Sequence, residues 1–376
     1  MGQSITKTPL MNICNPKQWR TISQRDFTED GYPVFGANGI IGFYNKFNHE
    51  MPTILVTCRG ATCGKVNISA PFSYVTGNAM ALDDLDERSA NMKYLYHFFV
   101  WRGFNDVITG TAQPQITRKS LEAIEIPLPS LSEQERIAAI LDKADGIRRK
   151  RQEAIVLAST FLRSVFLKMF GDPVTNPIKW KEVLLQDVAS ISSGVTKGKK
   201  YSELELVDVP YMRVANVQDG WIDTTDMKTI TVSSTEVDRY SLKTGDLLLT
   251  EGGDPDKLGR GAVWDGSISP CIHQNHIFKV RFDTSLVLPE YASFLIGSIR
   301  GKRYFLCAAK QTTGIATINK TQLSNFKMLV PDMKLQQQFS DTVLRAKVTL
   351  KKLEQLADVS NYMFSSLQQR AFRGDL

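Results

Sequence analysis

The sequence predicts an α/β (α+β) protein in which two strand-rich domains with irregular sheets are separated by two long antiparallel coiled-coil helices, as a pseudo-twofold internal repeat. Two observations support this prediction. One is a repeat that pairs the halves of the chain, and the other is an apolar period shared by two helical segments. A length of 376 residues allows two or three domains. We place the first domain at residues 1–129, the first helix at 130–172, the second domain at 173–331 and the second helix at 332–376.

The repeat is clearest where each domain meets the helix that follows it. The segment ITRKSLEAIEIPLPSLSEQERI, which begins at Ile116, aligns without a gap with INKTQLSNFKMLVPDMKLQQQF, which begins at Ile318. In this alignment Gln134 matches Gln336. Earlier in each half, NPKQW resembles NPIKW, and YVTGNAMAL resembles CIHQNHIFKV. The two halves therefore share one order of parts, although the second domain is longer.

Two long helices are predicted by apolar residues that recur at alternating spacings of four and three, which is the pattern of a coiled-coil seam. The register is the same in both helices when the repeats are aligned. Each segment closes with Gly-Asp, at Gly171 and Gly374, and glycine commonly ends a helix. The residues predicted to pack along the seam are Ile137, Leu141, Ala144, Ile155 and Leu162 in the first helix and Phe339, Val343, Leu350, Leu353 and Phe364 in the second.

Each seam is predicted to pack against the other helix. The domain between the helices lets the chain reverse, which favours an antiparallel pair, while a parallel pair and two separate helices that serve only their own domains stay open. A further apolar row at Ile140, Ile147, Ala154 and Phe161 indicates an external contact. The basic run Arg148–Arg151 is either a solvated face or a contact for phosphates or an acidic partner.

Both variable domains read as strands joined by long loops. PTILVTCRGATCGKVNI and GDLLLTEGGDPDKLGRGAVW each predict a strand, a glycine-bearing turn and a second strand. Short helices are expected at MKYLYHFFVWRGF and PEYASFLIGSIRGKRYF. The loops contain Arg and Lys, which contact phosphates or guanine, and Asn and Gln, which pair with adenine. The candidate DNA-binding residues are Asn38, Tyr44, Arg59, Thr62, Lys65, Asn78, Gln113, Gln115, Thr196, Lys197, Lys199, Lys200, Arg213, Asn216, Lys257, Arg260, Gln274 and Asn275.

Charge and composition fit a polyanionic partner without establishing one. The formal net charge is +7 and the pI is about 9.0. We expect no membrane segment and no signal peptide, because no apolar run approaches the ~20 residues that span a bilayer. Five scattered cysteines indicate a reducing compartment, and we expect the cytoplasm.

No catalytic or metal-binding motif is recognised. GVTKGKK departs from the phosphate-loop spacing and is not followed by Ser or Thr. CIHQNH places Cys271 and His273 on one face of a strand and His276 on the other, which is a poor zinc site. We therefore expect no catalytic residue, no metal and no cofactor in this chain.

The repeat, the strings IEIPLPSLSEQERIAAILD and SSLQQRAFRGDL, and the order of parts resemble the specificity subunit of type I restriction–modification systems. The resemblance implies two target-recognition domains, each of which reads one half of a split site in double-stranded DNA. It implies helices that set the gap between the half-sites and bind two modification (methyltransferase) subunits, which a restriction (translocase and nuclease) subunit joins. S-adenosylmethionine, ATP and Mg²⁺ are then expected on the partner subunits.

Two other functions stay open at this stage. One is a bifunctional nuclease or methylase chain whose active site is not recognised, and turnover by the pure chain with S-adenosylmethionine or Mg²⁺ distinguishes it. The other is a protein-interaction scaffold without DNA, for which affinity would not fall steeply with salt as phosphate contacts require.

Overall fold

The computed structural model describes residues 6–110, 113–198, 205–254, 257–312 and 315–376. The chain divides into two compact units. Unit 1 contains Met1–Ala154 and Leu353–Leu376, and unit 2 contains Ile155–Lys352. Each unit therefore combines one strand-rich domain with a part of each long helix. The boundaries proposed from the sequence, which separate domains from helices, stay a prediction.

Unit 1 begins with a strand-rich domain. Its strands are β1 (Thr6–Pro9), β2 (Asn15–Gln18), β3 (Tyr32–Gly36), β4 (Gly39–Tyr44), β5 (Ile54–Thr57), β6 (Val66–Ile68), β7 (Tyr74–Val75), β8 (Ala79–Asp83) and β9 (Glu125–Leu128). Its short helices are α1 (Met92–Arg102) and α2 (Arg118–Leu121), and the first long helix is α3 (Leu131–Phe170). The strands form a sheet in the order β2-β8-β5-β6, a sheet in the order β4-β3-β7, and the pair β1-β9.

Unit 2 repeats this plan with additional elements. Its strands are β10 (Lys181–Leu184), β11 (Ala189–Ser193), β12 (Leu206–Met212), β13 (Lys228–Ser233), β14 (Leu247–Thr250), β15 (Gly252–Gly253), β16 (Gly261–Val263), β17 (Ile272–His273), β18 (Ile277–Phe282), β19 (Lys310–Thr312), β20 (Ile315–Thr317) and β21 (Lys327–Val330). Its helices are α4 (Leu185–Val188), α5 (Ser234–Tyr240), α6 (Pro289–Gly297), α7 (Ile299–Ala308), α8 (Lys320–Ser324) and the long α9 (Met333–Arg373). The sheets follow the orders β11-β18-β14-β16, β13-β12-β17, β15-β20-β19 and β10-β21.

The predicted repeat is confirmed by strand order and pairing. The sheets β2-β8-β5-β6 and β11-β18-β14-β16 correspond strand for strand. In the smaller sheets β3 runs parallel to β7, and β12 runs parallel to β17. The predicted short helices also form, as α1 in the first half and as α6 and α7 in the second.

A glutamine occupies the same position in both repeats and makes the same hydrogen bonds in each. Gln134 accepts a hydrogen bond from Asn91 N at 2.8 Å and donates to Pro129 O at 2.9 Å. Gln336 accepts from Leu288 N at 2.9 Å and donates to Pro331 O at 2.8 Å. Both side chains are fully buried, so their amides must find protein partners. Each glutamine joins the first turn of a long helix to the start of the short helix packed on it.

The long helices run antiparallel within each unit, as predicted. In unit 1 Arg136, near the start of α3, donates to Leu376 O at 2.8 Å, and Arg151 donates to Leu356 O at 2.7 Å. In unit 2 Phe170, at the end of α3, packs on Phe339 near the start of α9, with ring centroids 5.4 Å apart. Residues later in α3 therefore contact residues earlier in α9. The two helices are antiparallel, and the parallel alternative is excluded.

The seam residues are all at least partly covered. Ile137, Leu141, Leu162, Phe339, Val343 and Phe364 are buried, and Ala144, Ile155, Leu350 and Leu353 are half-buried. Both terminal glycines have positive φ, at +76° for Gly171 and +83° for Gly374, a backbone region that favours glycine.

The basic run of α3 is divided between the seam and solvent. The guanidinium of Arg148 lies 5.5 Å from the ring centroid of Phe364, and Arg151 bonds to α9 as described. Arg149 pairs with the buried Asp145 at 2.9 Å, and Lys150 is exposed. Two arginines therefore hold the helix pair together instead of facing phosphates.

Candidate nucleic-acid interface

In unit 1 three loops meet where β5 ends and β8 begins. Cys58 N donates to Asn78 O at 3.2 Å, and Ile116 N donates to Cys58 O at 3.0 Å. Gly60 N donates to Pro114 O at 3.2 Å. These backbone bonds join residues 58–65, 77–78 and 109–116, without 111 and 112, into one surface, which we call the loop edge of unit 1.

The loop edge carries most of the residues proposed from the first half of the sequence. Arg59 and Gln115 face each other across an isolated β-bridge. The turn between β3 and β4 joins them, because Thr57 Oγ1 donates to Ala37 O. The predicted residues that these bonds bring together are exposed: Asn38, Arg59, Thr62, Lys65, Asn78, Gln113 and Gln115.

Tyr44 does not belong to this edge. It lies at the end of β4 away from the β3–β4 turn and pairs with Tyr32. Its ring packs edge-on against Tyr74, with centroids 5.5 Å apart. Tyr44 therefore contributes to an aromatic contact within the small sheet, and the structure does not bring it to the other candidates.

Unit 2 builds the corresponding edge with the same backbone bonds. Glu251 N donates to His276 O at 3.0 Å, and Ile318 N donates to Glu251 O at 2.9 Å. Thr250 N donates to Arg260 O at 2.9 Å, as Thr57 N does to Lys65 O at 2.8 Å in unit 1. The loop edge of unit 2 comprises residues 194–198, 251–254, 257–260 and 273–276.

The candidates from the second half lie mostly on this edge. Thr196, Lys197 and Lys257 are exposed, and the ammonium of Lys257 bonds to Asp254. Gln274 and Asn275 are half-buried beside Val195, whose carbonyl accepts from Asn275 N at 2.9 Å. Lys199 and Lys200 lie outside the described residues.

Asn216 and Arg213 lie in a loop of unit 2 in which their side chains already have partners within the protein. Asn216 is 2% exposed, accepts from Arg213 N at 3.0 Å and donates to Asp223 O at 2.8 Å. Its amide holds its own loop together, so it is not available to pair with adenine. Arg213 is half-buried and pairs with Asp226 at 2.9 Å.

The side chain of Arg260 is held by neighbouring residues, whereas that of its counterpart Lys65 is not buried. Its guanidinium donates to Gln218 Oε1 at 3.1 Å and lies 3.5 Å from Val214 O, whereas Lys65 is exposed. The same backbone position thus presents a held guanidinium in one unit and an extended ammonium in the other. Arginine and lysine differ in how they recognise guanine and phosphate, so the two edges present different chemistry.

His273 lies behind the loop edge of unit 2 and carries no charge at neutral pH. It is fully buried, and Nδ1 lies 3.0 Å from Tyr240 O. Burial and, to a smaller extent, the nearby charge of Lys279 lower the pKa of His273 to about 4. Among the residues that the structure describes, no group of three or more His, Cys, Asp or Glu side chains is arranged to hold a metal ion.

Sequence reasoning missed Trp221 and Lys302, which lie beside Arg260 around a cleft of unit 2. Trp221 is 57% exposed, which is unusual for so large an apolar side chain on a well-built loop. The signal in the sequence was weak, because QDGWID reads only as a turn with an aromatic residue.

The comparisons with known proteins agree with this architecture. A family model described as "Type I restriction modification DNA specificity domain" matches residues 6–156 and 177–357. The chain is 22% identical over 308 residues to the type I restriction enzyme StySPI specificity subunit of Salmonella potsdam, covering 77% of this chain and 66% of the relative. It is 25% identical over 279 residues to the EcoKI specificity subunit of Escherichia coli K12, covering 68% and 59%.

The matched segments thus span less than two thirds of those relatives' own length. A crystal structure of a type I restriction–modification S subunit from M. genitalium has a TM-score of 0.65 at 16% identity, over 98% of this chain and 96% of that one. This likeness shows a shared fold.

Two repeated α/β domains, two long helices and two matching loop edges define a protein with an internally duplicated fold. Because the family model covers most of the chain in two segments, one for each repeat, the chain belongs to the type I restriction–modification DNA specificity family. The reported relatives are named as specificity subunits, so the alternative of a bifunctional nuclease or methylase finds no support among them. In the described part of the chain, no helix has the length and apolar character needed to cross a membrane.

Proposed function

We propose that this chain is the non-catalytic DNA-reading subunit of a type I restriction–modification enzyme. Each loop edge reads one half of a split, asymmetric target in double-stranded DNA. The proposal rests on one observation: the same backbone hydrogen bonds form the loop edge in both units, but the side chains that they present differ. The bonds of Cys58 and Ile116 in unit 1 recur at Glu251 and Ile318 in unit 2.

The chemistry of the two edges supports reading of unlike half-sites. Unit 1 exposes Arg59 and Gln115 on facing strands, where a guanidinium suits guanine and an amide suits adenine. Unit 2 presents Gln274 and Asn275 beside Val195, two residues before the exposed Lys197. Lysines on both edges supply phosphate contacts, which position the protein without carrying sequence information.

We propose that the long helices α3 and α9 bind two modification (methyltransferase) subunits and that a restriction subunit joins the complex. The outer faces of the helices support this assignment. On α3, Ile147 is 44% exposed and Phe161 is 56% exposed; on α9, Val348 is 58% exposed and Val359 is 53% exposed. Apolar rows left open on long helices are typical of protein-interaction surfaces.

S-adenosylmethionine, ATP and Mg²⁺ act on the partner subunits in this proposal, since a target base must be extruded into a separate catalytic pocket. The proposed location is the cytoplasm, where the substrate DNA is found and thiols stay reduced. All five cysteines are free, and Cys14, Cys58 and Cys271 are buried.

The test is a gel-shift titration of the chain with its modification subunits on duplexes that carry the methylated motif of the host. Scrambling either half of the motif is expected to weaken binding. The double variant Arg59→Ala/Gln115→Ala is expected to become insensitive to one half only. The control is Lys243→Gln, because Lys243 is exposed and precedes β14, at the end of that strand away from the loop edge. Equal affinity for intact and scrambled duplexes would reject the proposal.

A further inference from the structure

The inference concerns a cleft of about 380 Å³ on unit 2. Its lining includes Trp221, Lys257, Arg260, Lys302 and Asp219. The cleft adjoins the loop edge of unit 2, because Arg260 O accepts the bond from Thr250 N that helps to form that edge. A ligand bound along the edge can therefore reach the cleft.

The loop that presents Trp221 is fixed on both sides. Gln218 N donates to Trp221 O at 3.0 Å, and Gly220 N donates to Gly261 O at the start of β16 at 2.9 Å. Gly220 has φ +85°, a conformation that side chains other than glycine rarely adopt. Trp221 is thus held with 57% of its surface exposed by a loop whose backbone is bonded to a sheet. A rigid, exposed indole is suited to contact a ligand at little cost in ordering.

The charge of the cleft favours an anion. Three cations line it, and Asp219 is the acidic residue among the lining residues that the structure describes. Asp219 lies 3.8 Å from Lys302, and Lys257 bonds to Asp254. The guanidinium of Arg260 is oriented by Gln218 at 3.1 Å. An aromatic wall beside fixed cations matches a sugar that carries a phosphate.

We propose that this cleft holds one sugar–phosphate segment of the DNA that flanks the half-site read by unit 2. Trp221 packs on the deoxyribose, while Lys302 and Arg260 face the phosphate. The assignment rests on the proposed function and deepens it. Because the indole lines a wall of the cleft, it is placed to cover a strand that enters and not to insert between base pairs.

The contact belongs to unit 2 alone. In unit 1 β3 and β4 are joined directly by the turn Ala37–Asn38, whereas in unit 2 residues 213–227 lie between β12 and β13 and contain Trp221. The extra loop gives the second half-site an additional backbone anchor. Backbone contacts position DNA without reading it, so the cleft raises affinity without changing the target sequence.

The test measures binding of Trp221→Ala and Lys302→Gln, in complex with modification subunits, to duplexes with the intact motif across a range of salt. Trp221→Ala is expected to weaken binding about tenfold, because it removes the apolar surface that packs on the deoxyribose, and Trp221→Phe is expected to restore most of it. Lys302→Gln is expected to lower the slope of log K against log salt by about one. The matched controls are Leu286→Ala, also an exposed apolar residue, and Lys243→Gln, an exposed lysine at the end of β14 away from the loop edge.

Equal affinity of Trp221→Ala and Leu286→Ala would overturn the cleft assignment. A changed methylation motif in Trp221→Ala would also overturn it, because the indole would then read bases. A reduced DNA bend in Trp221→Ala, measured by circular-permutation gel shift, would identify a wedge and reject the packing role. If the unmodified complex does not prefer the motif at all, the proposed function itself fails, which is a distinct result from any of these.

Discussion

At one matching position, unit 1 fixes its short helix to a long helix with charge, whereas unit 2 uses an aromatic ring. In unit 1 Asp142 on α3 accepts from Lys93 at 2.5 Å and pairs with His97 Nε2 at 2.8 Å. In unit 2 the residue in the place of His97 is Phe294, which packs on Phe339 with centroids 5.0 Å apart. The repeated fold therefore does not require one kind of contact.

The contacts that the units share are the ones that set the geometry. The hydroxyl of Tyr94 donates to Pro127 O at 2.6 Å, and that of Tyr291 donates to Leu329 O at 2.9 Å. Both tyrosines also contact the end of a long helix, through Phe372 in unit 1 and Phe170 in unit 2. A directional bond was kept in both halves, while the side chains around it changed.

The largest effect is expected from Phe339→Ala in unit 2. Phe339 is fully buried and contacts Phe166, Phe170 and Phe294, so its truncation leaves a cavity costing about 3–5 kcal/mol. Hydrogen–deuterium exchange should rise in α6 and stay unchanged in α1. The control is Phe161→Ala, since Phe161 is 56% exposed. Equal loss of protection in α1 and α6 would show that the two docking sites are not independent.

A smaller effect is expected from Asp142→Asn in unit 1. The substitution removes the charge that accepts from Lys93 and His97, and we expect a cost of about 1–2 kcal/mol because the site is partly open to water. Exchange should rise in α1 and not in α6. Asp341→Asn, on the exposed face of α9, is the control. Unchanged protection of α1 would mean that aromatic packing alone holds it.

Because Asp142 holds α1 through its charge, the docking of α1 is predicted to be more sensitive to acid than the docking of α6 in unit 2. Burial opposes the charge of Asp142, but hydrogen bonds from Lys93 and His97 outweigh it and hold the pKa of this carboxyl below its ordinary value of 3.8. The stabilisation is therefore complete above that value and is lost as pH falls through the lowered pKa. The protection of α1, corrected for the intrinsic exchange rate at each pH, should fall on acidification below about pH 4, and Asp142→Asn should flatten this dependence. An identical pH profile in the variant would contradict the assignment.

The smallest effect is expected at the helix seam. Arg151 of α3 occupies the position that Leu353 occupies in α9, and it donates to Leu356 O. Arg151 also donates to Ser360 Oγ. Arg151→Leu exchanges these two hydrogen bonds for apolar contact, which we expect to change the free energy of unfolding by less than about 1 kcal/mol. Urea denaturation measures this, with the exposed Lys150→Leu as the control. A loss of several kcal/mol would show that the arginine fixes the pairing of the helices.

The repeat and the long helices could be predicted because each leaves a pattern that can be read from a single sequence. A four-three period and the shared Gln134 and Gln336 are visible without coordinates. The candidates of each loop edge could be predicted as a group from their place in loops next to predicted strands. Arg59 and Gln115, for example, lie far apart in the sequence, but both lie in such loops. The separation of Tyr44 from the other candidates was not predictable, because its position along β4 depends on where the hairpin turn falls.

Other features depend on packing that no local pattern records. Asn216 and Gln115 are both polar loop residues, yet one amide is buried by hydrogen bonds across residues 213–226 and the other is exposed. Trp221 is the reverse case, an apolar loop residue that is exposed. It was missed because a tryptophan in a turn normally predicts a buried anchor. Burial of a loop residue is decided by the rest of the unit.

The most direct test of the central claim, that each unit reads its own half of the target, is methylation mapping in cells that express this chain with its modification subunits. Single-molecule sequencing should give one split, asymmetric motif for the unmodified chain. Arg59→Ala/Gln115→Ala should alter or relax only one half of that motif, and Gln274→Ala/Asn275→Ala only the other. A variant of one loop edge that changes both halves, or a motif without two separated halves, would contradict the account.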